Sequence, residues 1–418
     1  MSIKDEIEKI GRQAKKASRE LAKLSTQDKN EVLLKMAASL DSQRENIKQK
    51  NSIDLAEGEK NGLSSALLDR LKLTDARIDA MIQSLKEIAE LKDPVGEIID
   101  TVKRDNGLRI EKVRAPIGVV GIIYESRPNV SSDAASLCLK SSNAVILRGG
   151  KEAINSNTAI VEALNQGAKG TKLPEHAIQV VQTTDREAVK ELVQLTDYVD
   201  LIIPRGGESL IRAVSEMARV PVIKHYKGVC HVYVDQSADI EMALDIAENA
   251  KCQRPGVCNA IETLVVHKGI SEEFIPKLAQ RLSGNGVELR GDEIAQSLAP
   301  SIKAAEESDW SEEYLDLILA VKVVNSLDEA IDHINNYGSY HSDSIVTKSD
   351  EAASRFMQEV DSAAVYVNAS TRFTDGAEFG LGAEMGISTD KIHARGPMGI
   401  VELCTYKFCV HGTGQIRP

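Results

Sequence analysis

A chain of 418 residues, 42% hydrophobic and 27% charged, is long enough for two or three packed domains and has the balance of an ordinary globular protein. Its net charge of -12 and 4% aromatic content argue against a nucleic-acid surface, either as a phosphate-neutralising face or as a base-stacking platform. Met1 to Lys16 lacks the apolar centre of a signal peptide and no apolar run nears the roughly 18 residues of a membrane span, so a cytoplasmic protein without membrane contact is expected.

Ile3 to Lys92 reads as helix, with apolar residues at helical spacing (Val32, Leu33, Met36, Leu40, then Ile78, Met81, Ile82, Leu85, Ile88) and Ser25 or Thr26 placed to cap the second helix. Val95 to Arg104 and Leu108 to Val113 are β-prone runs around Asp105-Asn106-Gly107, which signals a hairpin. From Pro116, short apolar runs alternate with amphipathic helices: Ile117 to Ile123, Ala144 to Leu147, Ile178 to Val181, Val199 to Ile203 and Val220 to Ile223. That alternation predicts βαβ units and a mostly parallel sheet. A second α/β series runs through Ile261 to Val266, Ile318 to Val324, Ser344 to Thr347 and Ala363 to Val367. Ile400 to Val410 alternates as a strand does and is expected to pair with the hairpin or with a partner subunit.

Several turns carry side chains suited to chemistry. Asn129 ends the strand-like run through Tyr124-Glu125-Ser126-Arg127-Pro128; it either donates its amide to an oxygen that becomes negative or caps the helix through Asp133 to Leu139, and the local pattern favours the cap. Arg148-Gly149-Gly150-Lys151 and Pro204-Arg205-Gly206-Gly207-Glu208-Ser209 follow β-prone runs, where backbone N–H groups and a helix start attract phosphate; each could equally be a tight turn. The G-x-G-x-x-G and G-x-x-x-x-G-K-[ST] patterns are absent, and Gly380 to Gly386 has the wrong spacing for a cofactor loop. Cys258 follows Arg254-Pro255-Gly256-Val257 and precedes the run Ala260 to Val266, so it is either a thiol presented as nucleophile or a small packed side chain. The six cysteines show no disulfide framework, and without C-x-x-C or H-E-x-x-H no metal site is expected.

The strand to Arg127-Pro128-Asn129, the turns at Arg148 and Gly206-Gly207, the Cys258 loop, Glu313 before an apolar strand and the tail Ala394-Arg395-Gly396-Pro397-Met398-Gly399 occur in the order of the aldehyde dehydrogenase superfamily. Gln253 to Ala260, the segment from Val365 to Gly376 and the Ala-Arg-Gly-Pro tail resemble its gamma-glutamyl phosphate reductase branch, and the resemblance covers nearly the whole chain. It implies an α/β aldehyde dehydrogenase-like fold: a Rossmann-type cofactor-binding domain (1–94 and 114–227), an α/β catalytic domain (228–397) and a small β oligomerisation element (95–113 and 398–418). By the same resemblance, Cys258 is the nucleophile and Asn129 an oxyanion donor. Arg148, Lys151, Gly206, Gly207 and Glu313 would bind NADPH/NADP. Arg127, Lys224, His225, Ser370, Thr371 and Arg372 are candidates for holding the substrate. The implied reaction is reduction of L-glutamate 5-phosphate to the semialdehyde in proline biosynthesis, by a homo-oligomer with possible transient contact with glutamate kinase. Where hydrolytic relatives carry a water-activating glutamate, Lys224-His225-Tyr226-Lys227-Gly228 offers no carboxylate. A hydrolytic or CoA-acylating aldehyde dehydrogenase, and a non-catalytic binding protein on the same fold, are the competing readings.

Overall fold

A computed structural model describes residues 2–417. Five helices come first: Ile3–Leu21, Thr26–Ser42, Arg44–Lys60, Ser65–Leu71 and Asp75–Glu90. Ser25 caps the second through a capping box, its hydroxyl accepting the Asp28 N–H while the Asp28 carboxylate takes the Ser25 N–H. Val32, Leu33, Met36 and Leu40 of that helix are buried, as are Ile78, Met81, Ile82, Leu85 and Ile88 of the fifth, against which it packs. The spacing that predicts helix therefore also predicts the packed face.

The chain forms two compact units, one running to Lys224 and including Gly380–Gly386 and the segment from Met398 onward, the other made of His225–Phe379 and Ile387–Pro397. The first contains a parallel sheet in the order Ile178–Val180, Ala144–Arg148, Val119–Tyr124, Leu201–Arg205. All residues of Val119–Tyr124 and Ala144–Arg148 are buried, as expected of strands covered by helices on both faces. Val220 to Ile223 does not make a full strand. A single Ile202–Val222 bridge remains, in a segment where Pro221 has no N–H to donate.

The same unit carries an antiparallel sheet in the order Ile98–Lys103, Arg109–Pro116, Cys404–His411. The hairpin turns where Gly107 takes φ +90°, and the C-terminal strand pairs with its second arm from Cys404 opposite Pro116 to His411 opposite Arg109. Ile98, Val102, Tyr406, Phe408 and Val410 are exposed on it.

The second unit is built on a seven-stranded sheet: Lys303–Ala304, Glu288–Gly291, Ile318–Val324, Ile261–His267, Cys230–Val234, Ser342–Val346, Ala364–Val367. Sequence reading missed Cys230–Val234, although its five residues are all buried and its Val and Tyr content is strand-like. Glu288–Gly291 and Lys303–Ala304 lack any apolar run that would announce them. No helix among the described residues is long and apolar enough to cross a membrane.

Candidate active site

Cys258 lies in the turn between helix Ile240–Cys252 and strand Ile261–His267. Both flanking elements are anchored in one core, the helix through Ala243, Ala247 and Ala250 and the strand through Ile261, Leu264 and Val266. The connecting turn is thereby fixed at its ends while Cys258 stays partly exposed. A fully buried ion pair closes the base of the turn: Lys251 Nζ, at the end of the helix, meets Glu262 Oε2, at the start of the strand, at 2.5 Å. Burial pulls the Lys251 ammonium down and pushes the Glu262 carboxyl up to about 7, and the opposite charge of each partner offsets part of that cost. Glu262 Oε1 also accepts the Leu315 N–H at 3.2 Å.

The sides of the turn are tied as well. Arg372 donates to Gln253 Oε1 at 2.8 Å and to Asn259 Oδ1, bridging the residues either side of the thiol. Thr371 Oγ1 donates to the Asn259 carbonyl at 2.7 Å, and Asn259 Nδ2 donates to the Thr374 carbonyl at 2.9 Å. Thr371 is sealed from solvent with its hydroxyl committed, so it braces the loop; Ser370, also buried, accepts the Arg372 N–H at 3.3 Å. Gly228 presses against the main chain of Cys258: a Cβ there would lie 2.0 Å from the Cys258 carbonyl oxygen and 2.5 Å from its Cα. Only glycine permits that approach. Glu313 Oε1 accepts the Gly228 N–H at 2.8 Å, so this carboxylate holds the segment of chain that leans on Cys258.

Two imidazoles stand at the thiol. One ligand atom each from His225, Cys258 and His341 lie within 4.8 Å of one another. The rings meet edge-on, 5.5 Å between centroids. His225 Nδ1 lies 2.8 Å from the Ile387 carbonyl oxygen. His341 is fully buried, with Nδ1 2.9 Å from Ser342 Oγ and Nε2 without a hydrogen-bond partner. Burial, reinforced by the neighbouring His225, holds the His341 ring well below the usual histidine range, and it is neutral near pH 7. The thiols of Cys138, Cys230 and Cys404 are buried and pushed up by desolvation, which makes them inert beside the partly exposed Cys258. His341, Lys251 and Glu262 escaped sequence reading. A carboxylate inside the apolar run Ile261 to Val266 was the one available signal, because a buried charge demands a partner.

In the first unit, Asn129 starts helix Val130–Lys140, but its side chain makes no cap bond. Its Nδ2 donates instead to Asp133 Oδ2 at 3.0 Å, so the local reading as a cap is corrected: the backbone at 129 is already helical and the amide points to a side chain. Burial pushes the Asp133 carboxyl up to about 6. The parallel strands reverse their order at Val119–Tyr124, with Ala144–Arg148 on one side and Leu201–Arg205 on the other. Ligands bind beyond the carboxyl ends of strands at such a reversal. Arg127, Gly206 and Gly207 are exposed on the turns that follow these strands. No side chain caps helix Glu208–Met217, whose start is Gly207, and a carboxylate oxygen of Glu125 takes the Gly207 N–H at 2.8 Å. A phosphate bonding to this N–H has to displace that carboxylate. Arg148 is 8% exposed and donates to the carbonyls of Gly149 at 2.8 Å and Thr184 at 3.1 Å. Its guanidinium is largely spent on its own loop, whereas Lys151 is exposed. Lys224 and His225 are both partly buried.

A parallel sheet with its order reversal, and a braced, partly exposed cysteine on a second α/β unit, are the parts of a thiol-dependent oxidoreductase. The chain belongs to the aldehyde dehydrogenase family, whose model matches residues 2–316. That family works with a nicotinamide cofactor. Within it, the chain is 57% identical to the gamma-glutamyl phosphate reductase of Caldanaerobacter subterraneus subsp. tengcongensis, over 99% of this chain and 100% of that one. It is also 57% identical to the gamma-glutamyl phosphate reductase of Persephonella marina, over 100% of this chain and 96% of the relative. The crystal structure of gamma-glutamyl phosphate reductase from Thermotoga maritima superposes with a TM-score of 0.97 at 48% identity, covering 99% of this chain and 100% of that one.

Proposed function

We propose that this protein reduces L-glutamate 5-phosphate to L-glutamate 5-semialdehyde and phosphate, with NADPH, in proline biosynthesis. The observation that carries the reading is the Cys258 turn, clasped by Lys251–Glu262 and pressed by Gly228, in a chain that matches gamma-glutamyl phosphate reductases end to end.

As thiolate, Cys258 attacks the acyl-phosphate carbonyl; the C–O bond to phosphate breaks and a thioester forms, with no strong general acid needed for so good a leaving group. The reduced nicotinamide, when bound, supplies the hydride that converts this thioester to aldehyde and returns the thiolate. The Cys258 backbone N–H stabilises the oxyanion, and Asn129 is the further donor carried over from the family resemblance; one such donor contributes about 2.7–4 kcal/mol. The segment Lys224 to Gly228 brings no carboxylate to activate water, which favours a thioester that survives until reduced.

For the cofactor, Gly206 and Gly207 receive the phosphates, Lys151 favours the extra phosphate of NADP, Arg148 shapes that turn, and Glu313 is the family's ribose ligand by resemblance. Arg127, Lys224, His225 and Arg372 are the remaining candidates for substrate anions, with Ser370 and Thr371 supporting the loop. The exposed apolar residues of the three-stranded sheet suit an interface between copies of the chain, so a cytoplasmic homo-oligomer is proposed. A transient contact with glutamate kinase would shield a labile acyl phosphate.

The test is NADP reduction with glutamate semialdehyde, with and without inorganic phosphate. Phosphate-dependent turnover that vanishes in Cys258→Ala and Cys258→Ser supports the reading. Turnover supported equally by water or CoA would place the chain with the hydrolytic or acylating enzymes, and no turnover with any acceptor would favour a binding protein.

A further inference from the structure

We propose that His225, Cys258 and His341 form a three-ligand site for a soft divalent cation, Zn2+ above all, that caps the nucleophile and reversibly silences the enzyme. Three observations lead there. The ligand atoms already lie within 4.8 Å of one another, on segments far apart in sequence. A tetrahedral zinc with bonds of about 2.0–2.3 Å needs donors roughly 3.3–3.6 Å apart, a closure within the torsional reach of the partly exposed His225 and Cys258 around the fixed His341. Each imidazole also has its Nδ1 on a neighbour, His225 on the Ile387 carbonyl at 2.8 Å and His341 on Ser342 Oγ at 2.9 Å. That is the outer-sphere bond that orients a metal-binding histidine.

The third observation concerns His341 alone. Its Nε2 is buried without a hydrogen-bond partner, an arrangement that costs free energy. A thiolate with two imidazoles selects zinc over magnesium or calcium, and three protein ligands leave the fourth position for water. Binding exchanges the Cys258 thiol proton for a sulfur–zinc bond, which removes the lone pair that would attack the acyl carbonyl and blocks the sulfur without oxidising it.

That the cation silences turnover rests on the proposed role of Cys258, but its binding does not. The experiment uses the whole protein, chelator-stripped and kept reduced. Zn2+ is titrated against turnover, Co2+ against the absorption spectrum, with Mg2+ as the hard-cation control. Inhibition that saturates at one Zn2+ per chain and is reversed by EDTA, together with an intense Co2+–thiolate charge-transfer band and no response to Mg2+, is expected. His341→Ala or His225→Asn should weaken Zn2+ binding at least about tenfold. His225 is partly exposed, so that variant keeps the test open if His341→Ala does not fold. Unchanged Zn2+ affinity in folded variants, or Co2+ bound without the thiolate band, would overturn the proposal. A protein that gives the cobalt band yet reduces no acyl phosphate would sink the functional reading and leave the metal site standing.

Discussion

The turn around Cys258 is tied at its base by Lys251–Glu262, across its width by Arg372 and from above by Gly228, whereas at the turns after the parallel strands Arg127, Gly206 and Gly207 are exposed, with Ser126 held by Glu152 and the Gly207 N–H by Glu125. Covalent chemistry needs one sulfur at one place, and a displacement of about 1 Å can cost about a hundredfold in rate. A dinucleotide that comes and goes needs reachable N–H groups and room for a phosphate. Under the proposed function, the braced turn is the one that would form the bond, and the exposed turns are the ones that would meet the cofactor.

Breaking the clasp probes the first half of that contrast. Lys251→Met leaves the Glu262 carboxyl buried without its cation and should lower stability by about 3–5 kcal/mol in urea unfolding. Glu125→Gln, on the exposed turn, should cost less than about 1 kcal/mol in the same assay. Equal losses from the two variants would erase the distinction.

Gly228→Ala is the finer probe of the same turn. The new methyl group must move the Cys258 carbonyl, and kcat should fall about a hundredfold. On the access side, Lys151→Ala should reduce the preference for NADPH over NADH by about tenfold, measured as a ratio of kcat/KM values. Arg148→Ala should act mainly on melting temperature, since its guanidinium serves its own loop.

The smallest expected effect is a pH slope at Asp133. Its native carboxyl titrates near 6 against an ordinary 3.8, so the native state holds a proton that the unfolded chain has lost between those values. Stability should accordingly fall as pH rises through that window. Asp133→Asn should flatten this part of the stability profile.

Much of this was legible in the sequence because periodicity and turn chemistry act locally. The helical stripe of Val32 to Leu40, the cap at Ser25, the hairpin at Gly107 and the strands on either side of the Cys258 turn follow from residues within a few positions of each other. What remained hidden depends on distance in sequence. His341 reaches Cys258 only because Ser342–Val346 and Ile261–His267 are set on either side of Cys230–Val234, a strand whose own signal was overlooked. Lys251 and Glu262 look like solvent-facing charges until the helix and strand close on the same core. Asn129 failed as a cap for a local reason: its own backbone is already helical and its amide is bonded to the Asp133 side chain.

The central claim is a thioester on Cys258. Reacting the protein with glutamate semialdehyde and NADP in the absence of phosphate, quenching in acid and mapping peptides by mass gives the most direct answer. The account predicts a glutamyl adduct on the peptide containing Cys258, discharged when phosphate is added before the quench. Phosphate-dependent turnover with that peptide never modified would contradict it.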